Sequence, residues 1–381
     1  MTENNKSKSA TDLIYLVSCA VNETVPDKKI CSQMDLSDLC RCMRKHALSV
    51  AATCALEQVV DLPFDMVEAK YKAFRRASIQ NIERRQILDS LEKQGIWYLP
   101  LKGIVLKEFY PVTAMREMSD NDILCDSARM EDIRSVMEGL GFECRSFGKL
   151  HHDVYEKPLQ IEFEMHHSLF EQTDDPEIFS YFENIKDRLR KDSGNSFGYH
   201  MTNEDMYIYL ICHLRNHYLS VGTGLRSLLD IYMFNKRRLK ELDLKYLDKE
   251  LKKLGLTEFE QKLRILAEKT FALKELSEEE MNVLCFFIDS GSHGTLENHM
   301  MFMLGNDDSG KAKSKYILKR VFPSRENLKR DHPLVYKHKA LYPLWLVFRP
   351  IKGAVTHPKG IVKEIKRLKS FKKKDNTDIY K

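Results

Sequence analysis

The sequence lacks three features that would narrow its class at once: a cysteine framework, a long apolar run and an internal repeat. Its nine cysteines are odd in number and scattered over helical-looking stretches, and Cys40-Arg-Cys42 is not the CxxC of a zinc knuckle or redox pair. They read as small, buried apolar side chains. The first dozen residues are polar and lack the basic-then-apolar layout of a signal peptide, so the expectation is a cytoplasmic location with reduced thiols. No apolar run approaches the roughly 18 residues of a spanning helix; the C-terminal candidate, Leu344 to Phe348, is far too short. No period of about 20 to 50 residues is visible, which excludes a solenoid reading.

What is present fits a globular chain. The 381 residues are 43% hydrophobic and 31% charged, with length for two or three domains. The net charge of +5 is local: from Lys359 to Lys381, eight Lys and one Arg face Glu364, Asp375 and Asp378, giving that stretch +6 and leaving the rest at −1. A near-neutral body with one basic tail is a poor footprint for a duplex, so nucleic acid is not an expected partner. The tail reads as a solvated helix end, with contact to acidic lipid or RNA as the alternative.

Apolar residues recur at three and four up to about residue 94, as in Leu13, Leu16, Val17 and Ala20, which is helical spacing; Gly95 then stops the last of these helices. Ile96 to Leu101 is β-prone and leads through Lys102-Gly103 into a short helix ending at Tyr110-Pro111. Met118 to Asp126 reads as a strand, Arg129 to Leu140 as an amphipathic helix, and Phe142 to Ser146 as a strand. Asp153 to Lys157 and Leu159 to His167 read as a hairpin joined near Pro158. This order predicts an α+β unit with a mixed sheet. Helices return at Thr202, with more expected at Leu225 to Arg238, Asp243 to Leu254, Thr257 to Glu268 and Ser277 to Phe287. The expected divisions are an N-terminal helical region (1–78), an α/β core (79–200), a C-terminal helical domain (201–358) and the basic tail (359–381). The Gly305 to Lys311 stretch has a Gly-x4-Gly-Lys spacing, but Ala312 stands where a P-loop needs Ser or Thr and no strand precedes it.

The stretch Ser119-Asp120-Asn121-Asp122-Ile123-Leu124-Cys125 carries the strongest chemical signal. Side chains alternate along a strand, so Asp120 and Asp122 share a face. Two ionised carboxylates held that close resist burial unless a cation sits between them. Oxygen ligands at this spacing suit Mg²⁺. Lys102-Gly103 lies where a strand turns into a helix, a place that favours phosphate. Ile161-Glu162-Phe163-Glu164-Met165-His166 alternates again, so a second strand offers Glu162 or Glu164 as a third acid; the period of two permits either. His151-His152 and His166-His167 bring imidazoles near the same cleft, His213 and His217 lie one helical turn apart with no third ligand evident, and Arg226 and Asp230, at i and i+4, are expected to form a structural ion pair.

Leu101-Lys102-Gly103, then Arg116 and the Ser-Asp-x-Asp-Ile-Leu strand, then the acid-Met-His ending at His166 together resemble the uncharacterised nucleotidyltransferase family of the DNA polymerase β-like superfamily. The similarity continues through Ile211-Cys-His213-Leu-Arg-Asn-His217, Leu225-Arg-Ser-Leu-Leu-Asp230, Val321-Phe-Pro-Ser324 and Tyr342 to Arg349, from about residue 60 onward. In that family the strand usually reads Asp-Ile-Asp-Leu-Leu-Val and the later one (Asp/Glu)-Leu-His-Trp. Asn121, Cys125 and His167 depart from the pattern, and Asn121 faces away from the acids on the strand reading.

The resemblance implies a nucleotidyltransferase-type sheet flanked by N-terminal and C-terminal helical regions. It implies Asp120, Asp122 and Glu164 as catalytic metal ligands, Gly103 as the glycine of a phosphate loop, and a two-metal transfer of a nucleoside monophosphate from an NTP, with Mg²⁺ or Mn²⁺ as cofactor. Lys102 or Arg116 would offset phosphate charge. The acceptor would be a hydroxyl on a small molecule, sugar or protein. A non-catalytic nucleotide-binding or interaction protein that retains the fold is the alternative, and an RNA-modifying transferase a third reading.

Overall fold

Helical spacing gives way to strand alternation and back again along the chain, and the elements follow that order in the computed structural model. The structure describes residues 3–371 apart from 160, 173–174, 306, 323–327 and 329–331. Pro323-Ser324 of the sequence motif and residues 372–381 of the basic tail lie outside the described residues. The chain divides into two compact units. One comprises residues up to Asn216 together with Gly224–Ser292, and the other His217–Thr223 together with residues from His293 on.

The first unit opens with α1 (Glu3–Val21), α2 (Lys28–Ser32), α3 (Leu36–His46), α4 (Ser49–Leu56) and α5 (Phe64–Lys93). Asp27 and Asp35 accept from the first backbone N–H groups of α2 and α3. The long α5 is continuous through residue 78. It stops at Gly95, whose φ of +66° lies in the left-handed region that favours glycine, and the Ile96 N–H donates to the Leu91 carbonyl across that turn.

There follow β1 (Tyr98–Pro100), α6 (Gly103–Leu106), β2 (Asp120–Cys125), α7 (Met130–Gly139), β3 (Glu143–Ser146), β4 (His152–Lys157) and β5 (Ile161–His166). They form a mixed five-stranded sheet in the order β1-β2-β5-β4-β3, in which only β2 and β5 run parallel. The α+β reading holds. Ile87 and Leu91 of α5 and Ile133 and Met137 of α7 cover one face, packing on Ile123, Tyr155, Phe163 and Met165. That cluster leaves the other face of β2 and β5 free for polar side chains.

The chain continues through α8 (Pro176–Phe182) and a two-stranded ribbon, β6 (Arg190–Lys191) with β7 (Tyr199–His200), that the sequence reading did not anticipate; two-residue runs are too short to show alternation. Then come α9 (Asn203–Ser220), α10 (Leu225–Arg238), α11 (Leu244–Lys253), α12 (Thr257–Phe271) and α13 (Glu278–Ser290). The Asp205 N–H donates to Thr202 Oγ1 at the start of α9. At α13, Ser277 and Glu280 cap each other's backbone N–H groups reciprocally.

The second unit contains α14 (Leu296–Leu304), α15 (Gly310–Val321) and later helices Tyr342–Thr356 and Pro358–Ser370, around Met300, Leu304, Tyr316 and Leu368. Lys311 lies in the first turn of α15 behind a Ser309 cap, and among the described residues the element before it is the helix α14, not a strand. Among the described residues no helix is long and apolar enough to cross a membrane.

Candidate active site

The parallel register of β2 and β5 sets Asp120 opposite Glu162 and Asp122 opposite Glu164. Their sequence neighbours Asn121, Ile123, Phe163 and Met165 are buried on the helix-covered side, so the four acids share the other face. One ligand atom each from Asp120, Glu162 and Glu164 lies within 4.8 Å of the others, and the same holds for Asp122, Glu164 and His166. Glu164 belongs to both groups. The acids converge as the sequence predicted, and Asn121 turns away from them, its amide donating to the Glu162 carbonyl at 3.3 Å.

Asp122 is buried, which alone would raise its pKa. The Lys102 ammonium at 3.4 Å and the His166 imidazole at 3.1 Å outweigh that and hold the carboxyl well below its usual range. Burial likewise works against charge on Lys102 and His166. Asp122 and the acids around it raise the pKa of Lys102, and hydrogen bonds to Asp122 and Glu164 raise that of His166. Among the described residues Glu162 has no such cation: burial, then Asp120 and Glu164, push it up to about 7.

Lys102 joins the site from a strained turn. Its φ of +40° with ψ of −114° is a backbone conformation that residues with side chains rarely adopt. It is fixed at both ends: the Leu101 N–H donates to the Asp122 carbonyl, and the Lys102 carbonyl accepts from Val105 and Leu106 in α6. Gly103 follows, and the space a Cβ would need there is already taken by the Arg116 guanidinium, with Met118 Cγ at 3.1 Å.

Arg116 itself is buried in a two-point pair with Asp230, Nε to Oδ1 at 2.9 Å and Nη2 to Oδ2 at 2.8 Å, and Tyr110 adds a third hydrogen bond to that carboxylate. This corrects the expected Arg226–Asp230 pair: Arg226 donates to the Glu117 carbonyl at 2.7 Å. A guanidinium facing both carboxylate oxygens makes a better-matched pair than a neighbour one helical turn away.

Three of the histidines flagged in sequence, His151, His152 and His166, cluster beside the acids. His166 Nε2 lies 3.1 Å from Asp122 Oδ1 and 3.3 Å from Glu164 Oε2, a bridge the sequence reading missed although residue 166 is in phase with 162 and 164. His152 Nε2 stands 3.7 Å from Glu164, and His151 Nδ1 3.3 Å from Glu171. Burial, then the neighbouring imidazoles His166 and His152, push His151 down to about 2. A separate cavity of about 570 Å³, lined by Lys72, Arg76, Gln80, Lys107, Arg116 and Ile161 among others, includes none of the four acids in its walls.

A mixed sheet with carboxylates on adjacent strands, fed by a glycine turn, defines an α+β fold of the nucleotidyltransferase type. The family profile described as "uncharacterised nucleotidyltransferase" matches residues 32–272, well over half of the chain, and the chain belongs to that family. Among curated proteins and solved structures, none matches it. Membership makes a nucleotide the substrate class and nucleotidyl transfer the general chemistry, and the acids and histidines supply groups able to hold a metal ion.

Proposed function

We propose that the protein transfers a nucleoside monophosphate from an NTP to a hydroxyl acceptor with a divalent cation, Mg²⁺ or Mn²⁺, held by Asp120, Asp122 and Glu164. The observation that carries this reading is the in-register convergence of acids from β2 and β5 on one open face. The donor set fits such an ion. Among the described residues no Lys or Arg pairs with Asp120, Glu162 or Glu164 within 4.0 Å; imidazoles approach Glu164 alone, so the acids outnumber the cations beside them. Glu164 is the better third acid than Glu162 because it approaches both Asp122 and Asp120.

A divalent cation bound there would neutralise triphosphate charge and lower the pKa of the acceptor hydroxyl. The chain's own residues prepare the site. Lys102 and His166 keep Asp122 ionised and oriented, and Lys102 brings a positive charge to the edge where phosphate oxygens would lie. Gly103 forms the phosphate loop, and Arg116, anchored on Asp230, packs against that glycine and fixes its position.

Transfer of label from each α-³²P-NTP, with Mg²⁺ or Mn²⁺ and a cell extract as acceptor source, tests the reading. Replacing both acids, Asp120→Asn with Asp122→Asn, is expected to cut labelling and pyrophosphate release by at least about 100-fold. Undiminished labelling removes this site from the reaction. NTP binding that persists without divalent cation, with no label transferred by the unmodified chain, favours the non-catalytic alternative.

A further inference from the structure

We propose that His151, His152 and His166 form a second metal site, made of nitrogen and suited to Zn²⁺, beside the carboxylates. It does not rest on the transfer reaction. Three converging imidazoles, one of them buried with an unpartnered nitrogen, lead to it. His166 Nε2 faces two carboxylate oxygens, which only accept, so that nitrogen carries the proton. The other nitrogen, Nδ1, is buried and has no hydrogen-bond partner among the described residues, in a ring that is 1% exposed.

His151 Nδ1 faces Glu171, which places the proton there and leaves Nε2 as a lone pair. That lone pair accepts a hydrogen bond from His152 Nδ1 at 3.4 Å, while His152 Nε2 lies 3.7 Å from Glu164. One nitrogen from each ring lies within 4.8 Å of the other two.

A divalent ion between the rings would displace the protons on the converging nitrogens, including the one His152 shares with His151, and would give the buried His166 Nδ1 the partner it lacks. Tetrahedral Zn–N bonds of about 2.0–2.1 Å set neighbouring nitrogens roughly 3.3 Å apart, close to the spacing already present between His151 and His152. Imidazole donors select a borderline ion such as Zn²⁺ over Mg²⁺, and the carboxylates of Glu171, Glu164 and Asp122 behind the rings are the partners that metal-bound histidines use to fix their orientation. Only three side chains contribute, and His151 and His152 are half-buried, so a fourth position stays open to solvent or ligand.

Zn²⁺ titration by calorimetry in millimolar Mg²⁺, without NTP, tests the site. The full chain is expected to bind one Zn²⁺ with Kd below about 1 μM through these rings. The double variant His151→Asn with His152→Asn, at partly exposed positions and checked for folding by circular dichroism, is expected to weaken binding at least about 100-fold, and Glu171→Gln about 10- to 100-fold. Asp120→Asn serves as the control and is expected to leave Zn²⁺ affinity unchanged, which separates this site from the proposed Mg²⁺ ligands. Co²⁺ substitution reports nitrogen ligands by its visible spectrum. Absence of Zn²⁺ uptake, or uptake equal in the folded double variant, overturns the proposal; equal uptake would mean that thiols or carboxylates hold the metal.

Discussion

The two faces of β2 and β5 are built from the same residues in alternation, and they solve opposite problems. On one face Ile123, Phe163 and Met165 complete the core beneath α5 and α7, and the single polar intruder, Asn121, is satisfied by hydrogen bonds with the Glu162 carbonyl and Arg84. On the other, Asp120, Asp122, Glu162 and Glu164 crowd together with one lysine and one bridging histidine. Strand alternation therefore separates stability from chemistry at one-residue resolution. The acid face costs energy that the apolar face supplies.

Residues 162 and 163, neighbours in the chain on opposite faces of β5, test this separation. Phe163→Ala is expected to lower stability by about 3–5 kcal/mol, through a cavity in a fully buried cluster. Glu162→Gln, one residue away, removes a carboxyl raised by burial, Asp120 and Glu164, and is expected to change stability by less than about 0.5 kcal/mol or to increase it. Urea unfolding of both variants decides the matter. A large loss from Glu162→Gln would mean that the acid face is structural.

A buried acid that does have its cation sharpens the contrast. Asp230 holds Arg116 at two points and Tyr110 at a third, so Asp230→Asn strands a buried guanidinium and is expected to cost about 3 kcal/mol in the same assay. A loss below about 1 kcal/mol would show that the pair contributes little beyond its own desolvation.

The strands and the acids were legible in sequence because both depend on local periodicity. Residues 120 and 122, and 162 and 164, declare their common face without knowledge of the fold, and the helix Leu225–Arg238 begins and ends where its spacing and flanking residues say. Partner choice across long separations was not legible. Asp230 has Arg226 one turn away, yet it pairs with Arg116, 114 residues distant in the chain, because the 110–118 segment brings a two-point donor to it. Gly103 carries the same lesson. A glycine beside a turn reads as a place for phosphate to approach, while only the packed structure reveals the guanidinium resting against it.

His46 extends the comparison to a buried ionisable group handled in a third way, by staying neutral. Its ring is fully buried in the first unit, and Nδ1 accepts the Leu225 N–H at 3.2 Å. Burial, with Lys45 adding to it, pushes the pKa down to about 3. In the unfolded chain a histidine titrates near 6.5. Below that pH the unfolded state binds a proton that the folded state refuses, so the stability tied to neutral His46 is complete above about pH 6.5 and is lost as the pH falls toward 3. The slope approaches about 1.4 kcal/mol per pH unit at most. Between roughly pH 6.5 and 5, above the range in which ordinary carboxylates titrate, urea unfolding should fall more steeply for the unmodified chain than for His46→Gln, whose amide oxygen can still accept from Leu225. Parallel slopes would mean that the ring takes up its proton without unfolding, and that burial at this position is looser than on the apolar face of the sheet.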